Sequence, residues 1–170
     1  MLAGMKGWIY GCVLLCMATP LLAQSTSNEV TPQVQQLYSE AKAAQQNGDD
    51  KSAIENYRQM IRIAPHLPPA YNNLGMLYFN HREYSEAVPV LERGLHINPE
   101  MSTARALLGL SYFELGEDEK AQPLLESALR ANPADSNLQM SLAHVLLDLG
   151  KKQEAVRSLN EYVASNPKDQ

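Results

Sequence analysis

His66, His81, His96 and His144 are the side chains best suited to hold a metal or relay a proton near neutral pH. No two of them stand at the spacing that would put two ligands on one helix face. Carboxylates do cluster, as Glu117, Asp118 and Glu119, but at the start of a helical segment, where they complement the helix dipole. The sequence has no GxGxxG, GxSxG or HExxH pattern and no phosphate-binding P-loop. These side chains point away from catalysis, and neither a metal nor a cofactor is expected. Asn72 and Asn73 offer a different chemistry. They interrupt AYNNLGMLYF, residues 70–79, a run that is otherwise almost wholly apolar. A side-chain amide both donates and accepts, which suits reading a peptide backbone without charge.

Both cysteines, Cys12 and Cys16, lie in an N-terminal segment unlike the rest of the chain. Lys6 is the sole charge in residues 1–23, and an apolar stretch runs from Gly7 to Ala23. A short positive start, an apolar middle and a small residue before the polar QSTSNE are the parts of a secretory signal peptide. Cleavage is expected after Ala23, with residues 24–31 as a short linker. The competing readings are an uncleaved anchor, for which the segment is short and interrupted by Pro20, and a lipoprotein. Tyr10-Gly11 and Leu14-Leu15 are poor acylation contexts for Cys12 and Cys16. The exported chain would carry no cysteine, and so no disulfide and no thiol nucleophile. A periplasmic or secreted location is expected, with no membrane span in the mature chain. The net charge of −5, with no run of more than two basic residues, argues against a nucleic-acid partner.

The elements that must position these residues repeat. Pro65, Pro99, Pro133 and Pro167 are 34 residues apart, and Ala53, Ala87, Ala121 and Ala155 stand twelve residues before each. Gly75 and Gly109 share a register, as do Gly48, Gly116 and Gly150. Such a period with helix–turn–helix content marks a helical solenoid. The 32–169 domain divides into repeats 34–67, 68–101, 102–135 and 136–169. Within them Leu74-Gly75 with Tyr78, and Leu108-Gly109 with Tyr112, form an L-G-x2-Y element. In these residues the chain resembles the tetratricopeptide repeat family. The family's usual Trp at repeat position 4 is replaced by Leu37, Tyr71, Arg105 and Gln139. The resemblance implies an all-α fold: a right-handed superhelix of four helical hairpins, each of helices A and B.

Small residues at positions 8 and 20 would let helices A and B approach closely. Thr31-Pro32 reads as an N-cap and first helical residue. Arg82 stands where the other repeats have the turn glycine, so a slightly different turn is expected there. Pro89 and Pro123 are expected in the first turn of helix B, where a missing N–H costs little. Ser158 and Ser165 replace apolar residues of earlier repeats, as expected for the polar outer face of a terminal repeat.

In tetratricopeptide repeats, positions 2, 5, 9, 12 and 13 of helix A line a concave groove that commonly holds an extended peptide or a partner's helix. The resemblance places Tyr38, Asn72, Met76, Phe79, Asn80, Leu110, Phe113, Glu114, Met140 and His144 there, with Asn73 at its side. Its middle is apolar, with the chain's two phenylalanines one repeat apart. Burying a Phe contributes roughly 1.5–3 kcal/mol. The cations with which some family members clamp a terminal carboxylate are absent, and Glu114 and Asp148 tilt the C-terminal half towards a basic or neutral ligand. The expected function is a non-enzymatic adaptor that binds a protein or peptide partner outside the cytoplasm. The alternative is a structural subunit or assembly factor of an envelope complex, or a homo-oligomer packing through its repeat ends.

Overall fold

A computed structural model describes residues 30–165, with side chains to 164. The segment read as a leader, most of the linker, Ser165's side chain and Pro167 lie outside the described residues. Eight helices and no strands occur among those described: α1 (Pro32–Gln46), α2 (Asp50–Ile63), α3 (Pro68–Asn80), α4 (Tyr84–Ile97), α5 (Ser102–Glu114), α6 (Asp118–Ala131), α7 (Ser136–Asp148) and α8 (Lys152–Ser165). They form four antiparallel hairpins, with α1, α3, α5 and α7 as the A helices and the others as the B helices.

Local chemistry sets the boundaries. Thr31 caps α1: its Oγ1 accepts from the Val34 amide at 3.3 Å, with Pro32 as the first helical residue. Helices α2, α4 and α6 end two residues before Pro65, Pro99 and Pro133. The residue preceding each proline is pushed out of the helical region, with φ/ψ of −126/75° at Ala64 and −136/97° at Asn98. The A-to-B turns need one residue with positive φ, and Gly48, Gly116 and Gly150 supply it at 72–74°.

Arg82 corrects the expectation of a different turn. It takes the same left-handed conformation, at φ 61°. The bonds that close its turn, Arg82 N–H to Phe79 and Glu83 N–H to Tyr78, both 2.9 Å, match those from Gly116 to Phe113 and Glu117 to Tyr112. Packing of the hairpin overrides the residue's own preference. The prolines need a second correction. Helices α4 and α6 begin at Tyr84 and Asp118, so Pro89 and Pro123 are each the sixth helical residue, inside the helix. Each removes an intrahelical hydrogen bond on the solvent side.

The core runs the length of the solenoid. Ala53, Ala87, Ala121 and Ala155 are fully buried where helices A and B cross. Gly75 and Gly109 lie against the leucines at position 24. A Cβ on Gly75 would sit 2.4 Å from Leu91 Cδ2, and one on Gly109 would sit 3.0 Å from Leu125 Cδ2. Ser158 is not part of a polar outer face. It is 7% exposed, and its Oγ donates to the Gln139 carbonyl at 3.4 Å, because position 23 turns towards the A helix of its own repeat. Val156 and Val163 of α8 are exposed.

Successive repeats touch through α3 and α5 and through α5 and α7, whereas no two neighbouring B helices bring Cα atoms within 8 Å. The stack therefore curves with A helices inside and B helices outside. Between α1 and α3 there is likewise no Cα approach within 8 Å, so repeat 1 joins repeat 2 through α2 and α3.

Candidate functional site

The concave face is built from α3, α5 and α7. Asn72, Met76 and Phe79 project from α3, Leu110 and Phe113 from α5, and Met140 from α7, all half-buried. Asn80, Glu114 and His144 are exposed along the same helices. Phe79 meets Tyr84 edge-on, with centroids 5.4 Å apart, and Phe113 lies 6.1 Å from the His144 ring. These rings are braced on one side and open on the other, the condition of an apolar anchor. Leu147, at 46% exposure, extends the strip.

Tyr38 stands apart. It is 38% exposed on α1, edge-on to Tyr57 at 6.4 Å, with Lys42 Nζ 5.9 Å from its ring centroid. The gap between α1 and α3 separates it from the strip. The groove side of α1 is polar, and Gln45 is engaged as acceptor for the Tyr57 hydroxyl at 3.0 Å. Burial pushes that hydroxyl's pKa up to about 12, with Tyr38 adding a smaller effect.

The two amides separate as well. Asn73 is 9% exposed, so little of it is open to a ligand. On the helix it shares a face with Ala70 and Leu77, three residues before it and four after, both of them buried. Asn72 is half-buried, and its Oδ1 is shielded with no hydrogen-bond partner among the described residues. An unpaired amide acceptor of this kind costs about 1–3 kcal/mol. Turning the Asn72 side chain outward would bring that oxygen to a peptide N–H and relieve the cost.

Tyr84 is a groove residue that reasoning on helix A alone does not find. It opens helix B, beside Phe79, and reaches Glu114 of the next repeat. Burial raises its pKa, and the Glu114 carboxylate raises it further. The signal was the register, because the start of each helix B faces the end of the next helix A. Asp50 meets His81 at 2.9 Å in this way. Asp118 faces Asp148, and its pKa is raised by burial first, then by Asp148 and Glu119. Glu114, Asp118 and Asp148 thus make the C-terminal rim acidic. Among the described residues no group of three or more His, Cys, Asp or Glu converges on a metal-sized site, and no helix is long and apolar enough to cross a membrane.

Family profiles described as tetratricopeptide repeat match residues 38–101, 81–140 and 114–170. Among solved structures, MamA residues 41 to the end from Desulfovibrio magneticus RS-1 superposes with a TM-score of 0.76 at 18% identity. That match covers 82% of this chain and 78% of that one. Another MamA crystal structure gives 0.71 at 25% identity, covering 80% of each chain. YrrB, described as a tetratricopeptide repeat protein with an unusual peptide-binding site, gives 0.72 at 21% identity, covering 77% of this chain and 68% of that one. A search of curated proteins finds no match. The family profiles together span the helical repeats, and the chain belongs to the tetratricopeptide repeat family.

Proposed function

We propose that this protein is a non-enzymatic adaptor that holds a peptide or partner segment along α3, α5 and α7. The observation behind this reading is a continuous strip of half-buried apolar side chains beside an unpaired amide acceptor. Phe79, Phe113, Met76 and Leu110 would supply apolar contact, and Asn72, once its side chain turns outward, would accept from the ligand backbone. The acidic rim favours a basic residue towards the ligand's end over Glu114 and Asp148. The peptide-binding site attributed to YrrB supports the reading by likeness of fold. Two aromatic anchors with a few hydrogen bonds, less the ordering costs, correspond to about micromolar affinity. The character of residues 1–23 supports a place outside the cytoplasm, after removal of that segment.

The test is peptide selection on the full chain, followed by titration of the enriched peptide. Phe79→Ala with Phe113→Ala should weaken binding at least about a hundredfold if each ring contributes 1.5 kcal/mol or more. Helical circular dichroism should be retained. Unchanged affinity in the folded double variant would remove the groove as the binding site.

A second reading rests on α8, whose Val156 and Val163 are 56% and 42% exposed at the end of the solenoid. End-to-end association would cover them. A dimer in sedimentation that Val156→Glu dissociates, and that the Phe79 and Phe113 substitutions leave intact, would favour this reading.

A further inference from the structure

The outer face carries a second surface of different chemistry. Because neighbouring B helices keep their Cα atoms more than 8 Å apart, grooves open between them. The groove between α2 and α4 has a volume of about 600 Å³ and a floor made by Tyr71, Leu74 and Tyr78 of α3. Arg58, Arg62 and Arg93 line it, against one carboxylate, Glu86. Three guanidiniums in one groove are unexpected on a chain of net charge −5.

The repeats provide an internal comparison. At the next junction, the residue equivalent to Arg58 is Glu92, and its carboxylate accepts from the hydroxyl of Tyr112. Tyr112 is the equivalent of Tyr78. At the junction after that the equivalent is Glu126, which lines the groove between α6 and α8 with Glu161 and Arg130. The chain thus supplies its own carboxylate at the later junctions. At the first junction the sign is reversed. Arg58 lies over the Tyr78 ring, 5.7 Å from its centroid, and among the described residues no carboxylate meets the Tyr78 hydroxyl. Arg62 is paired with Glu55 at 2.8 Å, and that carboxylate feels the charge of Arg58 only weakly, whereas Arg58 and Arg93 make no ion pair within 4 Å among the described residues.

We infer that the groove between α2 and α4 docks an acidic segment of a partner protein, whose carboxylates engage Arg58 and Arg93 beside an apolar anchor. The carboxylate takes the place that Glu92 fills one repeat later, within reach of the Tyr78 hydroxyl. The guanidinium fork favours carboxylates bound through two parallel hydrogen bonds. The anchor packs on the Tyr71–Tyr78 floor between the two outer helices. This surface lies on the opposite side of the solenoid from the concave strip, so the protein can hold two partners at once.

The probe is a random peptide library displayed against the full chain, with phosphatidylglycerol vesicles as a second arm. Peptides with Asp or Glu flanking a large apolar residue should be enriched. One of them, titrated by fluorescence anisotropy, should bind at least about tenfold more weakly to Arg58→Glu and to Arg93→Gln, and more weakly as salt rises. Arg58→Glu installs the residue already present at the next junction, so the fold has a precedent for it. Arg58→Gln, which removes the charge without reversing it, should weaken binding in the same direction. The same peptide should bind the Phe79→Ala/Phe113→Ala variant undiminished, which separates this surface from the concave one. The inference is overturned if no acidic consensus emerges, or if affinity ignores both arginines. It is equally overturned if binding is lost with the phenylalanines, or if the arginines govern vesicle binding alone.

Discussion

Position 4 of each repeat shows how one contact can be made by unlike residues. The Tyr71 hydroxyl donates to the Pro65 carbonyl at 2.8 Å, the Arg105 guanidinium to the Pro99 carbonyl, and the Gln139 amide to the Pro133 carbonyl at 2.8 Å. Each ties a helix A to the proline that ends the preceding repeat. These residues look like departures from the family pattern when side-chain type is compared, because a phenol, a guanidinium and an amide share nothing but a donor. The regularity is legible only as a donor six residues after each proline. Repeat 1 has no preceding proline, and there the position is Leu37, which is simply buried. The amide is the poorest fit, since the buried Oε1 of Gln139 has no partner among the described residues. Replacing Arg105 with Met should cost about 1–2 kcal/mol, the loss of a hydrogen bond from a charged donor. Arg105→Gln should recover at least half of that, because Gln139 makes the same bond. Urea denaturation of the three proteins measures both steps, and equal stability of all three would mean the bond contributes nothing.

At the scale of the helices, the fold of repeated hairpins was legible in the sequence period, because proline, alanine and glycine act through backbone geometry and close packing that vary little with context. What it could not place was strain that the hairpin imposes. Arg82 holds a left-handed φ of 61° with the same closing bonds as its glycine counterparts. An L-residue there pays roughly 1–2 kcal/mol in backbone strain. Glycine would remove that strain and lose up to about 1 kcal/mol through the greater freedom of the unfolded chain. Arg82→Gly should therefore stabilise the protein by about 0.5–1 kcal/mol, raising the urea midpoint with no change in slope. A lower midpoint would mean that the arginine side chain makes a compensating contact in solution. The groove residues were less legible than the hairpins for a related reason. Asn72 and Asn73 are neighbours in sequence, but a helix turns about 100° per residue. That rotation is enough to put one beside the groove and the other into the packed interior.

Across the whole molecule, stability is a sum of repeat terms and nearest-neighbour terms, so each junction has its own share. The recurrent contact from the start of a helix B to the end of the next helix A changes character along the stack. At the first junction it pairs Asp50 with His81, at the second it sets Tyr84 against Glu114, and at the third it sets Asp118 against Asp148. The last is a like-charge contact, and it joins the terminal repeat, which has no further described repeat to cover it. The pKa of Asp118 is raised in the folded state, mainly by burial and next by Asp148. A raised folded pKa means that the native state holds the proton more tightly than the unfolded chain. Its favourable contribution is present below the unfolded value and is lost as pH rises through the folded one. The charge of Asp148 opposes ionisation of Asp118, a repulsion between like charges. Asp148→Asn should then stabilise the protein by a few tenths of a kcal/mol, the scale of exposed like-charge pairs. The gain should shrink as pH falls and Asp118, whose pKa is raised, takes up its proton. Measuring the difference between variant and wild type cancels Asp49 and Glu55, whose hydrogen-bonded carboxyls are shifted the opposite way. Because coupling is between neighbours, the added protection against amide hydrogen exchange should concentrate in α7 and α8 and fade towards α1. A uniform gain along all eight helices would show instead that the solenoid unfolds as a single unit.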